Sequence, residues 1–150
     1  INIAWANIIF AGVLLYAYRY GARNKGLIEL SLLAVIFIGI FQAFALLPGA
    51  SRSGTAITAA LLLGINLKDA SKFAFLLSIP TILGALVFLI IDSITFYESI
   101  NFASLFIGFG VSAFTACYTL KFFLAFIEKI GMYPFVVYRL CLGLILILIA

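Results

Sequence analysis

The apolar run at 53–64 is only about a dozen residues long, and the stretch before it, Leu47-Pro48-Gly49-Ala50-Ser51-Arg52-Ser53-Gly54-Thr55, is polar and cationic. A dozen helical residues at 1.5 Å rise reach roughly 18 Å, well short of a ~30 Å hydrocarbon core. Pro48 and Gly49 break a helix, Ser51 is a good N-cap, and a new helix is expected after it. The spacing therefore predicts a re-entrant helix–loop–helix at about 30–64, with its tip near the midplane. Irregular backbone at that depth is tolerated only against protein or a water-filled cavity. The alternative is a two-span hairpin whose loop is an ordinary polar turn at the membrane surface. An arginine at depth is a functional-site candidate by default, because an unpaired charge there costs several kcal/mol.

Composition places the rest of the chain in the same solvent. Of the 150 residues 67% are hydrophobic and 9% charged, with a mean hydropathy of +1.33. A soluble domain carries about a quarter charged residues, so this is an all-α integral membrane protein. The apolar runs are continuous rather than alternating, which excludes a β-barrel. Besides the pair at 30–47 and 53–64, transmembrane helices are expected at about 3–18, 73–91, 102–120 and 133–150. A cytoplasmic Arg19–Lys25 loop puts Lys68, Lys72, Lys121 and Lys129 on the same side and the acidic Asp92–Glu98 loop outside. The net charge of +4 is spread over loops and helix ends, so nucleic acid is not an expected partner. Cys117 and Cys141 lie inside apolar runs and read as small buried or lipid-facing residues. There is no histidine, which removes the commonest general base and metal ligand, and no metal site is expected within the chain. The opening residues Ile1-Asn2-Ile3-Ala4-Trp5 have no basic n-region and no initiator methionine. They are not expected to be a signal peptide, and the chain is expected to be a fragment of a longer protein.

The polar residues of the loop converge on one chemistry. The first N–H groups of a helix starting at Ser51 have no intrahelical acceptor, and the helix dipole adds partial positive charge there. With the hydroxyls of Ser51, Ser53 and Thr55, the backbone at Gly54 and the Arg52 guanidinium, they make a site for a phosphate-like anion. Each hydroxyl also has a competing role as a cap or a packing group. Gly49 and Gly54 read as backbone geometry rather than chemistry. Gln42 lies on the helix entering the tip and is either a polar contributor to the site or an interhelical hydrogen bond. Arg139, the other charge inside an apolar run, is expected to snorkel to the interface or meet a lipid headgroup, with structure favoured over catalysis. Ser78 and Pro80 are expected to kink the helix at 73–91.

From Gln42 to Thr55 the chain resembles a signature of the undecaprenyl-diphosphatase family, the bacterial membrane phosphatases also known as bacitracin-resistance proteins. The resemblance continues through Phe73-Ala74-Phe75-Leu76-Leu77-Ser78-Ile79-Pro80 and Pro134-Phe135-Val136-Val137-Tyr138-Arg139. It implies two inverted repeats whose re-entrant tips meet at the active site, an arrangement shared with many transporters. Residues 1–29 would then close the first repeat and 30–150 form the second. It further implies hydrolysis of undecaprenyl diphosphate to the monophosphate in the bacterial inner membrane, with Arg52 clamping a phosphate oxygen. A divalent cation (Mg or Ca) is implied too, with its ligands, the nucleophile and the acid–base groups in a missing N-terminal repeat. Gln42 would orient water, phosphate or those ligands. Undecaprenyl diphosphate, membrane lipid and the missing repeat are the partners implied, and self-association as a homo-oligomer is compatible with the sequence. Two other functions compete: an anion or lipid transporter or flippase built from broken helices, and a fragment without activity.

Overall fold

The computed structural model describes residues 2–95 and 102–149, and the side chains of all of these except 93–95. The described residues form six α-helices: α1 (Asn2–Tyr20), α2 (Leu32–Ala43), α3 (Arg52–Leu62), α4 (Leu67–Thr95), α5 (Phe102–Ile130) and α6 (Tyr133–Ile149). Short 3-10 turns at Leu27–Glu29 and Phe44–Leu46 flank α2. The protein is an all-α membrane helix bundle, and α1, α4 and α5 are long and apolar enough to cross a bilayer. With 12 and 11 residues, α2 and α3 reach roughly 18 Å and 17 Å, and neither crosses.

The hairpin is closed at its base by backbone pairing. The Lys25 N–H donates to the Gly64 carbonyl at 3.0 Å, and the Asn66 N–H donates to the Lys25 carbonyl at 2.9 Å. Entry to α2 and exit from α3 are therefore at one level, as in both the re-entrant and the two-span hairpin. Helix α3 runs parallel to α1, its start beside Ile3 and its end beside Gly21, and every residue from Gly54 to Leu61 is buried. Their small size explains this: Thr55, Ala56, Thr58, Ala59 and Ala60 let neighbouring backbones approach, which is how helices associate where hydrocarbon offers no hydrophobic drive. On α1 the matching face is Ala4, Asn7, Ala11, Leu14 and Ala17. Where α1 ends, a methyl on Gly21 would sit 2.5 Å from the Leu61 carbonyl oxygen.

At its other end the hairpin tip reaches Ile3, at the start of α1. The Phe44–Leu46 turn and the five residues that follow it lengthen the incoming arm.

The basic loops gather at the opposite end. Lys68 Nζ pairs with Glu128 Oε1 at 2.9 Å, Arg23 lies 4.6 Å over the Tyr18 ring, and Tyr18 meets Tyr133 edge to face. Asp92 is exposed on α4, whereas Glu98 lies outside the described residues. Two helices extend beyond the expected runs: α4 starts at Leu67 and α5 continues to Ile130, so Lys68, Lys72, Lys121 and Lys129 are helical rather than loop residues. Hydropathy marks only the apolar middle of such a helix. The polar start of α4 is set by Asn66, whose Oδ1 accepts from the Asp69 N–H at 2.9 Å. Pro80 is accommodated inside α4, where Ser78 donates to the Phe75 carbonyl and Thr81 to the Leu77 carbonyl.

Candidate anion site at the hairpin tip

The tip is built by turn chemistry. Leu47 N–H donates to the Phe44 carbonyl at 3.0 Å and Ala50 N–H to the Leu47 carbonyl at 3.1 Å. Gly49 has φ +97°, and a methyl there would stand 2.5 Å from the Ile3 carbonyl oxygen. Both conditions exclude a side chain. We expect Gly49→Ala to destabilise the protein by about 2–4 kcal/mol, read as a fall in thermal midpoint in detergent. An unchanged midpoint would show that the tip is free to move away from α1.

Ser51 is itself at φ +65°, a conformation that L residues rarely adopt. It is the N-cap of α3, its Oγ accepting from the Gly54 N–H at 3.3 Å. Thr55 is fully buried and donates to the Arg52 carbonyl at 2.9 Å, with the Ser51 carbonyl 3.2 Å away. Of the two roles open to these hydroxyls, the geometry uses Thr55 for backbone and leaves Ser51 a proton still to donate. The Ser53 hydroxyl and the amides of Arg52 and Ser53 have no hydrogen-bond partner among the described residues. Those two amides are the donors that a helix start presents to an anion.

Arg52 is exposed, and its guanidinium makes no hydrogen bond or ion pair among the described residues. It lines a cavity of about 620 Å³ between α2 and α4, together with Gly39, Gln42, Thr81, Gly84 and Phe88. Gln42 is buried and donates through Nε2 to Thr81 Oγ1 at 3.4 Å, so it does tie α2 to α4 while bordering the cavity. Thr81 went unnoticed in the sequence. Its hydroxyl folds back on the Leu77 carbonyl of its own helix, and nothing in the local sequence pairs it with Gln42.

Arg139 is only 3% exposed, which corrects the snorkelling expectation. Its Nη2 donates to the Gly49 carbonyl at 2.7 Å and its Nε to Asn7 Oδ1 at 2.7 Å, while Asn7 Nδ2 donates to the Arg139 carbonyl at 2.9 Å. The guanidinium turns inward because the tip offers it a carbonyl and α1 an amide, and these replace the water it would otherwise seek. Asn7 is the residue that sequence reasoning missed. A lone amide among Ala4, Ala11, Leu14 and Ala17 on one helix face was the available sign.

Together the tip holds two guanidinium groups, two free amides and two hydroxyls with protons to donate. Such a set suits a phosphate-like anion and does not suit a divalent cation, which needs oxygen acceptors. No group of three carboxylate, cysteine or histidine ligands occurs among the described residues. Glu29, Asp69 and Glu128 lie at the basic end, held by Gly26 N–H, Asn66 and Lys68. Asp92 lines a neighbouring cavity that shares Ala85 and Phe88 with the Arg52 groove.

Comparison with known proteins identifies the family of the chain. An undecaprenyl-diphosphatase of Alcanivorax borkumensis is 46% identical over 145 residues, covering 97% of this chain and 55% of that protein. Undecaprenyl-diphosphatases of Ruthia magnifica and Alteromonas mediterranea are 43% and 42% identical, covering 96% and 97% of this chain and 54% of each relative. The chain spans about half the length of the curated relatives it matches. The family profile described as bacitracin resistance protein BacA matches residues 1–145, through every helix but the end of α6, and the chain belongs to that family.

Proposed function

We propose that this chain is the second-repeat part of an undecaprenyl-diphosphate phosphatase of the bacterial plasma membrane, and that the α3 tip holds the diphosphate. In the reaction, water attacks the terminal phosphorus and the bond to the bridging oxygen breaks. The products are undecaprenyl phosphate and inorganic phosphate. Charge on the non-bridging oxygens falls to Arg52, whose fork can take two of them, and to the free amides of Arg52 and Ser53. The observation that carries this reading is the Arg52 guanidinium, without a partner among the described residues and lining a groove at a helix start.

The groups that activate water, and the ligands of a divalent cation, belong by this reading to a first repeat facing the tip. With the Arg19, Lys25, Lys68 and Lys129 end in the cytoplasm, the tip is displaced toward the outer face. The polyprenyl tail would lie in lipid beside the apolar faces of α4 and α5.

The test is release of inorganic phosphate from undecaprenyl diphosphate by the purified full-length protein in detergent with Mg or Ca. Turnover is expected. Binding of the lipid without release, over hours and with either cation, would instead favour a flippase built on the same broken helices.

A further inference from the structure

Arg139 is the one charged side chain buried among the described residues, and its acceptors there are neutral: the Gly49 carbonyl and Asn7 Oδ1. A buried cation without a counter-charge is costly, and it projects its field much further than a solvated one. Its third nitrogen, Nη1, has no hydrogen-bond partner among the described residues. That nitrogen lies against the first turn of α3, where a methyl on Gly54 would be 3.0 Å from it and 3.1 Å from Ser51 Oγ. Gly54 thus opens the space that lets the guanidinium approach the capped start of the helix.

We propose that Arg139 is a positioning residue for the anion at the tip. It fixes the Pro48–Ser51 turn through the Gly49 carbonyl, and it sets a second positive charge behind the amide end of α3, strengthening anion binding at Arg52 without touching the anion. This rests on the phosphatase reading above and adds to it a residue on α6 and a residue on α1, Asn7, which aims the guanidinium.

The experiment uses the full-length protein in detergent, with methylenediphosphonate, a diphosphate analogue that resists hydrolysis, as the binding probe. Binding affinity, kcat and KM for undecaprenyl diphosphate, and the unliganded thermal midpoint are measured for Arg139→Gln, Arg139→Lys and Asn7→Asp. Arg139→Gln removes the charge and is expected to weaken diphosphonate binding roughly tenfold and raise KM in step. Arg139→Lys keeps the charge, so binding should stay within about threefold. Its kcat should fall, because an ammonium cannot serve the Gly49 and Asn7 acceptors in one plane. Asn7→Asp keeps the acceptor for Nε but neutralises the field, and should also weaken binding roughly tenfold while the thermal midpoint holds or rises. If Arg139→Gln does not fold, Asn7→Asp decides alone. Wild-type diphosphonate affinity in folded Asn7→Asp would overturn the inference and leave the phosphatase reading intact. Absence of both diphosphonate binding and phosphate release in the wild type would overturn that reading, and the inference with it.

Discussion

Arg52→Lys in the full-length enzyme is expected to lower turnover of undecaprenyl diphosphate by about 10²-fold or more, with little change in thermal midpoint. The two halves of that expectation come from different observations. Stability should hold because the Arg52 guanidinium is exposed and supports nothing else among the described residues. Turnover should fall because phosphoryl transfer spreads charge over the non-bridging oxygens, and a planar fork can meet two of them where a single ammonium meets one. Losing one well-placed donor at a developing charge typically costs 10²–10³ in rate. The measurement is phosphate release at saturating substrate, beside a melting curve of the same preparation. Near-wild-type turnover of the lysine variant would make Arg52 a general electrostatic contributor rather than a clamp. Equal losses in turnover and in thermal midpoint would make it structural.

The elements that sequence revealed are those governed by local rules. Pro48, Gly49 and Ser51 announce a break and a cap, and the short run after them announces an arm that cannot cross. The structure has both. Helix ends obey a rule that hydropathy does not see: α4 and α5 run on through Lys68, Lys72, Lys121 and Lys129, because a lysine is a good helix former and does not break a helix where the apolar run stops. The tip reaches Ile3 because a 3-10 turn and a loop extend α2 in a way that counting helical residues ignores.

Long-range partnerships were the least legible. Arg139 and Asn7 are 132 residues apart, and nothing in the local pattern of either names the other. An arginine in an apolar run can snorkel or turn inward, and the choice depends on whether the fold delivers acceptors to it. Here α3 delivers the Gly49 carbonyl and α1 the Asn7 amide. The hydroxyls divide on similar grounds. Thr55 is consumed by its own helix turn, a local fact that sequence allowed but did not decide, and Ser53 is left free by the same geometry.

A polypeptide of these 150 residues alone is expected to release no phosphate from a polyprenyl diphosphate above background, in detergent with Mg or Ca present. Hydrolysis needs charge neutralisation and an activated water or nucleophile together. The tip supplies the first through Arg52 and the free amides of α3. For the second, the sequence has no histidine, and its carboxylates are Glu29, Asp69, Asp92, Glu98 and Glu128. Glu29, Asp69 and Glu128 are engaged at the basic end, a hairpin's length from Arg52. Glu98 lies outside the described residues, and Asp92 borders the next cavity rather than the groove. Supplying the first-repeat segment of a relative in trans should restore turnover if the two tips assemble around one diphosphate. Robust release by the polypeptide alone, abolished by Asp92→Asn, would place the base on α4 and overturn the division of labour between the repeats.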